Sequence, residues 1–441
     1  MAPDRDILDL EPQLVSPLCG LVRRFHRIYK DPLEPELPFI WRAEISNHLF
    51  AEQPKASVTT ASGKGLTEQA ARRGALGEAV ERYSALAHPP RSRLTWARRA
   101  ELPGASLDPR DLVLYAPEQY PALGYDPWRE DRPIGWVAGE TLGSGAPIWL
   151  PAQAVYLAYQ ATGGDALAQP TSNGLAAGPT RDFAALRAAL EVVERDAFVI
   201  AWCNRLPAAR THWDDLPDEG VVGLARAYER RGVAIELLRL PSDHDIPVFA
   251  ALGVEDRPGG VAVVVGLGAD LSPARAAASA ILEVAQVRPA LRMKLRDPEL
   301  IARRDALAAQ PQTVAELEDH DLLYTDRRMI PAFDMWRQGP TVRADWRVGV
   351  GLDPAEGVAV LVESLAAVGA RAHLHDLTPR DIAGLGLRTV RVVVEDFQPI
   401  HFGHAEIRLA GRRLYDMPRR LGLRPTASTA AELNPLPHPL A

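Results

Sequence analysis

Gly74-Ala-Leu-Gly-Glu-Ala-Val-Glu-Arg82 is a segment that the chain repeats twice. Ala188-Ala-Leu-Glu-Val-Val-Glu-Arg195 is a close copy, and Ser279-Ala-Ile-Leu-Glu-Val-Ala-Gln286 is a third copy, which Arg288 follows. Each copy has the pattern of an amphipathic helix, with a glutamate at one position and a second oxygen-bearing side chain three residues later. The sequence therefore predicts three similar acidic helices.

Side chains three residues apart lie next to each other on a helix surface, so each copy presents two such groups in one direction. Converging helices would bring the carboxylates together, and this cluster is costly to bury unless a cation neutralises it. Hard oxygen ligands suit Mg²⁺, which usually binds together with phosphates. The predicted pairs are Glu78 with Glu81, Glu191 with Glu194, and Glu283 with Gln286.

The same residues have an ordinary interpretation. Glu78 with Arg82 and Glu191 with Arg195 are i, i+4 pairs with the acid first, a pattern common on exposed helices. The flanking residues here are Ala, Leu and Val, however, which predicts half-buried faces. Three copies with apolar flanks favour a shared acidic site.

Small residues precede the first two acidic helices. The segment 61–68 contains Gly-Lys-Gly, where backbone N–H groups could approach an anion and Lys64 would add a charge. The segment 171–178 contains Asn173, whose amide can donate to a phosphate or hold a metal-bound water. The first segment lacks the spacing of a Walker A loop, and simple turns are the alternative for both. The third helix follows a buried strand and a Gly-x-Gly at 266–268, which lacks the third glycine of a dinucleotide fingerprint.

Composition narrows the class of protein. A hydrophobic content of 47% and a charged content of 24% are typical of a soluble globular chain, and the net charge of −7 argues against a general nucleic-acid binder. Cys19 and Cys203 are too few for a disulfide framework or a zinc site. We find no apolar signal core and no run long enough for a membrane helix. These features predict a cytoplasmic protein with no membrane partner.

Three further expectations concern the remainder of the chain. Residues 134–150 alternate and contain turn glycines, which predicts a hairpin with Trp136 and Trp149 in the core. Residues 300–345 are charged and irregular, which predicts a surface excursion. His401 and His404 have metal-like spacing, but too few other ligands lie nearby in the sequence for a metal site.

The final segment, Asn434-Pro-Leu-Pro-His-Pro-Leu-Ala441, has proline at every second position. Such a segment is stiff and extended, and it loses little entropy when it docks. It can hold a terminal carboxylate in one place, where that group can act as a base. A disordered tail and a ligand for a proline-binding module are the alternatives.

Together these residues resemble the YcaO family of ATP-dependent peptide-backbone enzymes. The resemblance depends on Ser62-Gly-Lys-Gly65 with the first repeat, Ser172-Asn-Gly174 with Glu191 to Asp196, and Glu283 to Arg288. His375-Asp-Leu-Thr378 and Val392 to Gly403 are also similar to the family. The proline-rich ending resembles that of the azoline-forming branch.

The resemblance implies that ATP and Mg²⁺ bind between the acidic helices. The implied metal ligands are Glu78, Glu81, Glu191 and Glu194. The residues implied to contact the nucleotide, or to support those contacts, are Lys64, Arg82, Asn173, Arg195, Glu283, Gln286 and Arg288. Glutamine at position 286 agrees with the family pattern, so we interpret it as nucleotide support.

The implied reaction is formation of thiazoline or oxazoline in a ribosomal precursor peptide. A Cys, Ser or Thr side chain attacks the preceding backbone amide, the oxyanion takes the γ-phosphoryl group of ATP, and phosphate leaves. The tail containing Pro435, Pro437 and Pro439 would place the Ala441 carboxylate beside the amide as the catalytic base. The implied partners are an E1-like leader-binding protein, a separate flavin dehydrogenase and a second copy of the chain.

Two other functions stay open on the residues alone. The same ATP site could activate amides for another product, such as a thioamide, or the chain could be a non-catalytic scaffold subunit. For the fold we predict a mixed α/β protein (α+β) with helices packed on mainly antiparallel sheets around a central ATP cleft. The predicted division is an N-terminal segment at 1–56 and a YcaO domain at 57–441, which ends in a proline-rich catalytic tail at 430–441.

Overall fold

A computed structural model of the chain describes residues 6–46, 60–86, 94–161 and 164–441. The described residues form antiparallel sheets covered by helices, so the predicted mixed α/β (α+β) class is confirmed. The strands are β1 Val22–Arg27, β2 Phe39–Ile45, β3 Thr60–Gly65, β4 Thr95–Ala97, β5 Ile134–Thr141, β6 Pro147–Pro151, β7 Leu175–Gly178, β8 Ala209–Thr211, β9 Ala234–Arg239, β10 Val248–Val254, β11 Val263–Ala269, β12 Ala372–Asp376 and β13 Arg388–Val394. The α-helices are α1 Glu11–Leu14, α2 Glu68–Leu86, α3 Tyr120–Leu123, α4 Ala152–Val155, α5 Arg181–Cys203, α6 Glu219–Glu229, α7 Pro273–Lys294, α8 Pro298–Ala309, α9 Leu317–Leu323, α10 Asp334–Arg337, α11 Pro354–Ala367, α12 Arg380–Gly384 and α13 Arg412–Arg420.

The strands form three sheets in the described part of the chain. The first has the order β1-β2-β3, the second β11-β10-β9-β8, and the third β4-β5-β12-β13-β7 with β6 added beside β5. Each acidic helix follows the end strand of one sheet: α2 follows β3, α5 follows β7, and α7 follows β11. The sequence repeat is therefore a repeated strand-then-helix unit.

Two glycines explain how closely these helices approach their strands. A Cβ added at Gly63 would lie 2.0 Å from the carbonyl oxygen of Ala71 in α2, and one at Gly266 would lie 2.2 Å from that of Ala280 in α7. Both glycines lie within strands rather than loops. The prediction that Gly-Lys-Gly forms a loop is therefore wrong, because the segment is a strand and Gly63 permits close packing of the helix on it. Its approach to an anion stays a prediction.

The acidic helices are amphipathic in the way that the repeat predicted. α5 begins after Thr180, whose hydroxyl accepts a hydrogen bond from the N–H of Phe183 at 3.2 Å, a normal N-cap. α7 has Pro273 at its start, as expected where the first N–H has no partner within the helix. One face of each helix packs in the core, and the opposite edge carries the glutamates.

The other expectations had mixed outcomes. Strands β5 and β6 form the predicted hairpin, with Trp136 buried and Trp149 half-buried. The prediction of a surface excursion at 300–345 is wrong, because this region contains α8, α9 and α10 and contributes Tyr324, Phe333 and Trp336 to the largest core cluster. No helix in the described residues is long and apolar enough to cross a membrane.

The N-terminal residues pair as strands with the remainder of the protein. β2 runs antiparallel to β3, with Ile40 opposite Lys64 and Arg42 opposite Ser62. The predicted division at residues 56 and 57 lies outside the described residues, and it stays a prediction.

Candidate functional site

A cleft of about 1160 Å³ opens where α2, α5 and α7 meet. Leu440 and Ala441, at the end of the tail, also line it. The three helices thus bring most of the predicted site residues into one cavity. The predicted residues that line it are Glu78, Glu81, Arg82, Asn173, Glu191, Glu194, Arg195, Glu283, Gln286 and Ala441.

The first glutamate of each repeat accepts a hydrogen bond from a backbone N–H in the strand before its helix or, for Glu191, in the residue that immediately precedes that strand. The carboxylate of Glu78 accepts a hydrogen bond from the N–H of Ser62 at 2.9 Å. Glu191 accepts from the N–H of Gly174 at 3.2 Å, and Glu283 accepts from the N–H of Leu267 at 3.0 Å. One oxygen of each carboxylate is thereby tied to backbone, which orients the other towards the cleft.

The second glutamates, Glu81 and Glu194, are the electrostatically strained members of the site. Burial and the carboxylates of Glu191 and Glu78 hold the pKa of Glu81 well above its ordinary value. Burial raises the pKa of Glu194 to about 7, Arg195 opposes this rise, and Glu283 adds to it. The cleft therefore collects more negative charge than its own cations neutralise.

Three predicted cations lie beside these acids; Arg82 and Arg195 line the cleft, whereas Lys64 is not part of its lining. Arg82 donates to Glu78 at 2.8 Å, and Arg195 is 3.6 Å from Glu194 and 3.9 Å from Glu191. From strand β3, Lys64 places its Nζ 3.9 Å from Glu283. The i, i+4 pairs of the ordinary interpretation do exist, and they line the cleft; the Arg82 side chain is 42% exposed there and that of Arg195 17%.

The third helix is joined to the first unit through a side-chain contact. The amide of Gln286 donates to the hydroxyl of Ser62 at 2.8 Å. A glutamate at this position could not donate this bond, because an ionised carboxylate only accepts. The difference between Gln286 and Glu81 or Glu194 therefore has a structural reason.

Arg288 does not reach the cleft. Its side chain is fully buried between Glu34 and Glu255, with its Nε 3.2 Å from Glu34, and its Nη1 donates to the carbonyl of Val261 at 3.0 Å. This correction has a physical reason: a buried guanidinium needs carboxylates, and the fold supplies two of them on the opposite side of α7. We do not retain Arg288 as a nucleotide contact.

Three cleft or near-cleft residues had no signal in the repeat. Arg391 of β13 is buried, and burial lowers its pKa. The carboxylates of Glu191 and Glu81 oppose this shift, so Arg391 interacts electrostatically with two acids of the cleft. Arg187 lies two helical turns before Glu194 and lines the cleft. Asp321 of α9 also lines it, and burial raises the pKa of this carboxyl to about 6. Arg187 is at a helical spacing that a longer repeat window could have revealed; the other two come from distant segments.

The proline-rich tail is bound to the protein through its backbone. The indole N–H of Trp202 donates to the carbonyl of Leu436 at 3.0 Å, and the Tyr324 hydroxyl donates to that of Pro437. Leu440 is buried, whereas Ala441 is exposed at the cleft. The proline spacing leaves these carbonyls free to accept, and so the tail is held along its length.

Histidine rings hold the last turn of the tail. His438 donates from Nε2 to the carbonyl of His401 at 2.6 Å, and its own carbonyl accepts from Nδ1 of His320 at 2.8 Å. The Nε2 of His320 accepts from the N–H of Gly403 at 2.9 Å. Burial holds the pKa of His438 well below its ordinary value, so this ring is neutral.

The site fits a hydrated magnesium ion with phosphates. Its oxygen donors belong to Glu78, Glu81, Glu191 and Glu194, and their mutual repulsion would be relieved by a divalent cation. Among the described residues, no three His, Cys, Asp or Glu side chains already form a ligand group. Mg²⁺ commonly takes one or two carboxylates and completes its shell with phosphate oxygens and water.

Sequence comparison gives this geometry a context. The family model described as YcaO cyclodehydratase, which binds ATP and Mg²⁺, matches residues 62–398. An uncharacterised protein of Methanothermobacter thermautotrophicus is 30% identical over 236 residues, which is 53% of this chain and 58% of that protein. The matched part therefore spans less than two thirds of the relative.

Comparison with solved structures agrees. A structure described as a heterocyclase in complex with substrate and cofactor superposes with a TM-score of 0.79 and 27% identity, covering 100% of this chain and 57% of the other. The YcaO protein of Methanopyrus kandleri, bound with AMPPCP and Mg²⁺, has a TM-score of 0.64, 24% identity and 91% coverage of both chains. The second likeness concerns the fold alone.

Proposed function

This chain belongs to the YcaO cyclodehydratase family, whose members bind ATP and Mg²⁺, and on that premise we propose that it forms azolines in a peptide. The proposed enzyme phosphorylates a backbone amide oxygen of a ribosomal precursor peptide. It converts Cys, Ser or Thr residues into thiazoline or oxazoline. The observation that carries the proposal is the convergence of acid pairs from separate helices in one cleft.

In the proposed site, Glu78, Glu81, Glu191 and Glu194 hold Mg²⁺ and thereby the phosphates of ATP. When bound, the metal offsets phosphate charge and polarises the γ-phosphoryl group. Arg82, Arg195 and Lys64 add positive charge, and Asn173 contributes a side-chain amide. We propose Glu283 and Gln286 as supports, since each is hydrogen-bonded to a neighbouring strand.

The chemistry balances without another reactant. The side-chain sulfur or oxygen of the substrate forms a bond to the amide carbon and loses its proton. The former carbonyl oxygen takes the γ-phosphoryl group, and ADP is released. The amide nitrogen then loses its proton, and the carbon–oxygen bond breaks to give a carbon–nitrogen double bond and phosphate. Phosphorylation helps because an amide oxygen is otherwise a poor leaving group.

The tail extends the proposal to proton transfer. Pro435, Pro437 and Pro439 keep the tail extended, and its backbone carbonyls accept hydrogen bonds from the protein. Ala441 lines the cleft that contains the acids. We propose that the Ala441 carboxylate accepts a proton during ring closure. This is consistent with a stiff tail, because a base must stay within hydrogen-bond reach of its substrate.

The partners belong to the proposal as well. We propose a ribosomal precursor peptide as the substrate; the matched heterocyclase structure is described as a complex with its own substrate. We further propose a leader-binding partner of the E1-like kind, a separate flavin dehydrogenase for oxidation to azoles, and a homodimer. A pull-down with the precursor peptide tests the leader-binding partner, and light scattering tests the homodimer.

Isothermal titration of ATP with Mg²⁺ tests the site. Wild type should bind, whereas Glu191→Gln should bind about tenfold more weakly or not at all, because it loses one charge at the metal. Glu363→Gln, on the exposed side of α11, is the matched control and should bind as wild type. Equal binding by all three proteins would reject the acidic cleft as the nucleotide site. If wild type binds nucleotide neither alone nor with a precursor peptide and partner protein, the scaffold function would take its place.

Removing residues 436–441 separates the proposed reaction from another amide activation. The truncated chain should bind ATP but lose ring formation, measured as the loss of 18 Da for each ring by mass spectrometry of the peptide. Extending the chain beyond Ala441 by two glycines should have the same effect, because it moves the carboxylate. Undiminished ring formation by both variants would contradict the role of the tail, and a thioamide product from wild type would favour the alternative.

A further inference from the structure

A second, smaller cavity of about 80 Å³ lies beside the nucleotide cleft. Thr171 and Asn173 line both cavities, so the two share a wall. The small cavity lies between the segment 167–173 and strand β13, with Arg391 and Arg408 on its lining. Its volume is several times the space that one water molecule needs, which is enough for a small polyatomic ion.

The two arginines of this cavity differ from other buried arginines in the protein. Among the described residues, the buried arginines are Arg288, Arg391, Arg408 and Arg413. Arg288 and Arg413 each pair with two carboxylates. Within the described part of the chain, no carboxylate lies within 4.0 Å of the other two guanidinium groups, and no acidic side chain lines the cavity. Positive charge is therefore concentrated there without a paired anion.

The hydrogen bonds of Arg391 and Arg408 leave donors unused. Arg391 donates from Nη1 to the carbonyl of Thr171 at 2.9 Å. Arg408 donates from Nη2 to the carbonyl of Gln169 at 2.6 Å, and its Nη1 makes longer contacts with the carbonyls of Leu112 at 3.3 Å and Val113 at 3.5 Å. Among the residues that the structure describes, the Nε of each arginine has no hydrogen-bond partner, and neither does Oδ1 of Asn173. A half-turn of that amide would present its NH₂ group instead. The cavity thus combines two cations with spare donors.

The electrostatic surroundings agree with this charge excess. Burial lowers the pKa of Arg391 to about 10, although Glu191 and Glu81 oppose the change. Burial also lowers the pKa of Arg408, and Tyr115, Tyr125 and Glu406 oppose that change. In both cases, burial outweighs the attraction of the nearby acidic groups.

We propose that this cavity binds a small tetrahedral oxyanion, inorganic phosphate, between Arg391 and Arg408. Two guanidinium groups match the oxygens of phosphate, because each offers several N–H donors in one plane. The source of the ion rests on the proposed function, since ring formation releases phosphate in the neighbouring cleft; its binding rests on the geometry alone. Asn173, on the shared wall, would contact the ion from the side of the nucleotide.

A purely structural role for the arginines makes a different prediction. Their bonds to Gln169 and Thr171 could serve only to position the segment that contains Asn173. In that case, filling the cavity would not matter, and changing an arginine would weaken nucleotide binding rather than phosphate binding. The two roles can therefore be separated by measuring both ligands on the same proteins.

Equilibrium dialysis of radiolabelled phosphate against the full chain tests binding. The nucleotide cleft is first saturated with Mg²⁺ and a non-hydrolysable ATP analogue. Wild type should then bind one phosphate per chain, and Arg408→Gln should bind about tenfold more weakly. Ala154→Met adds bulk at the cavity lining without changing charge; it should weaken phosphate binding and leave affinity for the analogue unchanged. Arg371→Gln, an exposed arginine paired with Glu395, is the control and should bind as wild type.

Three outcomes would overturn the proposal: no phosphate binding by wild type at millimolar concentration, phosphate binding that occurs only when the analogue is left out, or unchanged binding by both variants. Ala154→Met keeps the test decisive if Arg408→Gln does not fold. In cyclisation assays, added phosphate should inhibit wild type non-competitively with ATP and inhibit Ala154→Met about tenfold less. Binding without inhibition would overturn the assignment to product phosphate. Failure of the proposed function would instead appear as no ring formation at any phosphate concentration.

Discussion

Replacing Glu194 with glutamine should make the protein more stable and at the same time remove nucleotide binding. The side chain is mostly buried, 13% exposed, between other carboxylates of the cleft. Burial raises its pKa from 4.5 to about 7, so the folded protein resists ionising a group that the unfolded chain ionises readily. A neutral amide of the same shape removes this conflict.

The pH dependence follows from the direction of the shift. Below about pH 4.5 the carboxyl is protonated in both states, and the substitution changes nothing through this group. Between pH 4.5 and 7 the unfolded chain loses the proton first, so the folded wild type becomes progressively less stable, and above pH 7 the loss is complete. A pKa raised from 4.5 to about 7 corresponds to about 3 kcal/mol. The attraction of Arg195, 3.6 Å away, already opposes this shift and is included in it, and partial solvent exposure of the site reduces the effect, so we expect roughly 1 to 3 kcal/mol at pH 8.

Urea denaturation at pH 8 and pH 4.5, without nucleotide, measures this gain. Glu363→Gln on α11 is again the control for loss of an exposed charge, and it should change stability by less than about 0.5 kcal/mol. Adding ATP with Mg²⁺ should stabilise wild type by mass action and leave Glu194→Gln unchanged. An unchanged or lower stability at pH 8, or an equal gain at both pH values, would refute the electrostatic reasoning. Full stabilisation of the variant by nucleotide would refute the assignment of Glu194 to the metal.

Three shorter predictions concern the framework around the site. Gly266→Ala should destabilise the protein by about 3 kcal/mol in urea, because the new methyl would meet α7, whereas Gly223→Ala, on the exposed side of α6, should stabilise it by about 0.5 kcal/mol. Asp196→Asn should cost about 3 kcal/mol, because it removes a charge from buried Arg413, and an unchanged urea midpoint would contradict this. Burial lowers the pKa of His320 from 6.5 to about 4, so wild type should lose stability as the pH falls from 6.5 towards 4. His320→Gln should show a smaller loss between pH 7 and pH 5, and an identical slope would contradict the burial argument.

The acidic site could be predicted because local periodicity carries the information. The spacing of Glu78 and Glu81 places both on one face of any helix they occupy, whatever the helix packs against. The same spacing recurs at Glu191 with Glu194, and this repetition favoured one shared acidic site over separate exposed helix faces. The confirmed mixed α/β fold came from the family resemblance that these motifs supported.

Longer-range relations could not be obtained in this way. Arg195 lies four residues after the first glutamate of its helix and lines the cleft, whereas Arg288 lies five residues after Glu283 and pairs with Glu34 and Glu255. The extra residue turns Arg288 to another side of its helix. The carboxylates that it meets there come from distant parts of the chain. Arg391 and Asp321 likewise reach the cleft area only because distant segments are folded against it.

The amino-acid order alone determined the acidic pairs, the helices that present them and the stiff, proline-spaced tail, because each of these depends on bonds and spacings within a few residues. Tertiary structure decided that the three helices meet, that each first glutamate accepts a hydrogen bond from backbone in or next to the strand before its helix, and that Gly63 lies in a strand and packs against a helix. It also placed two unpaired arginines around one small cavity. Such features depend on which distant segments pack against each other and bury their surfaces, and no local sequence pattern encodes these contacts.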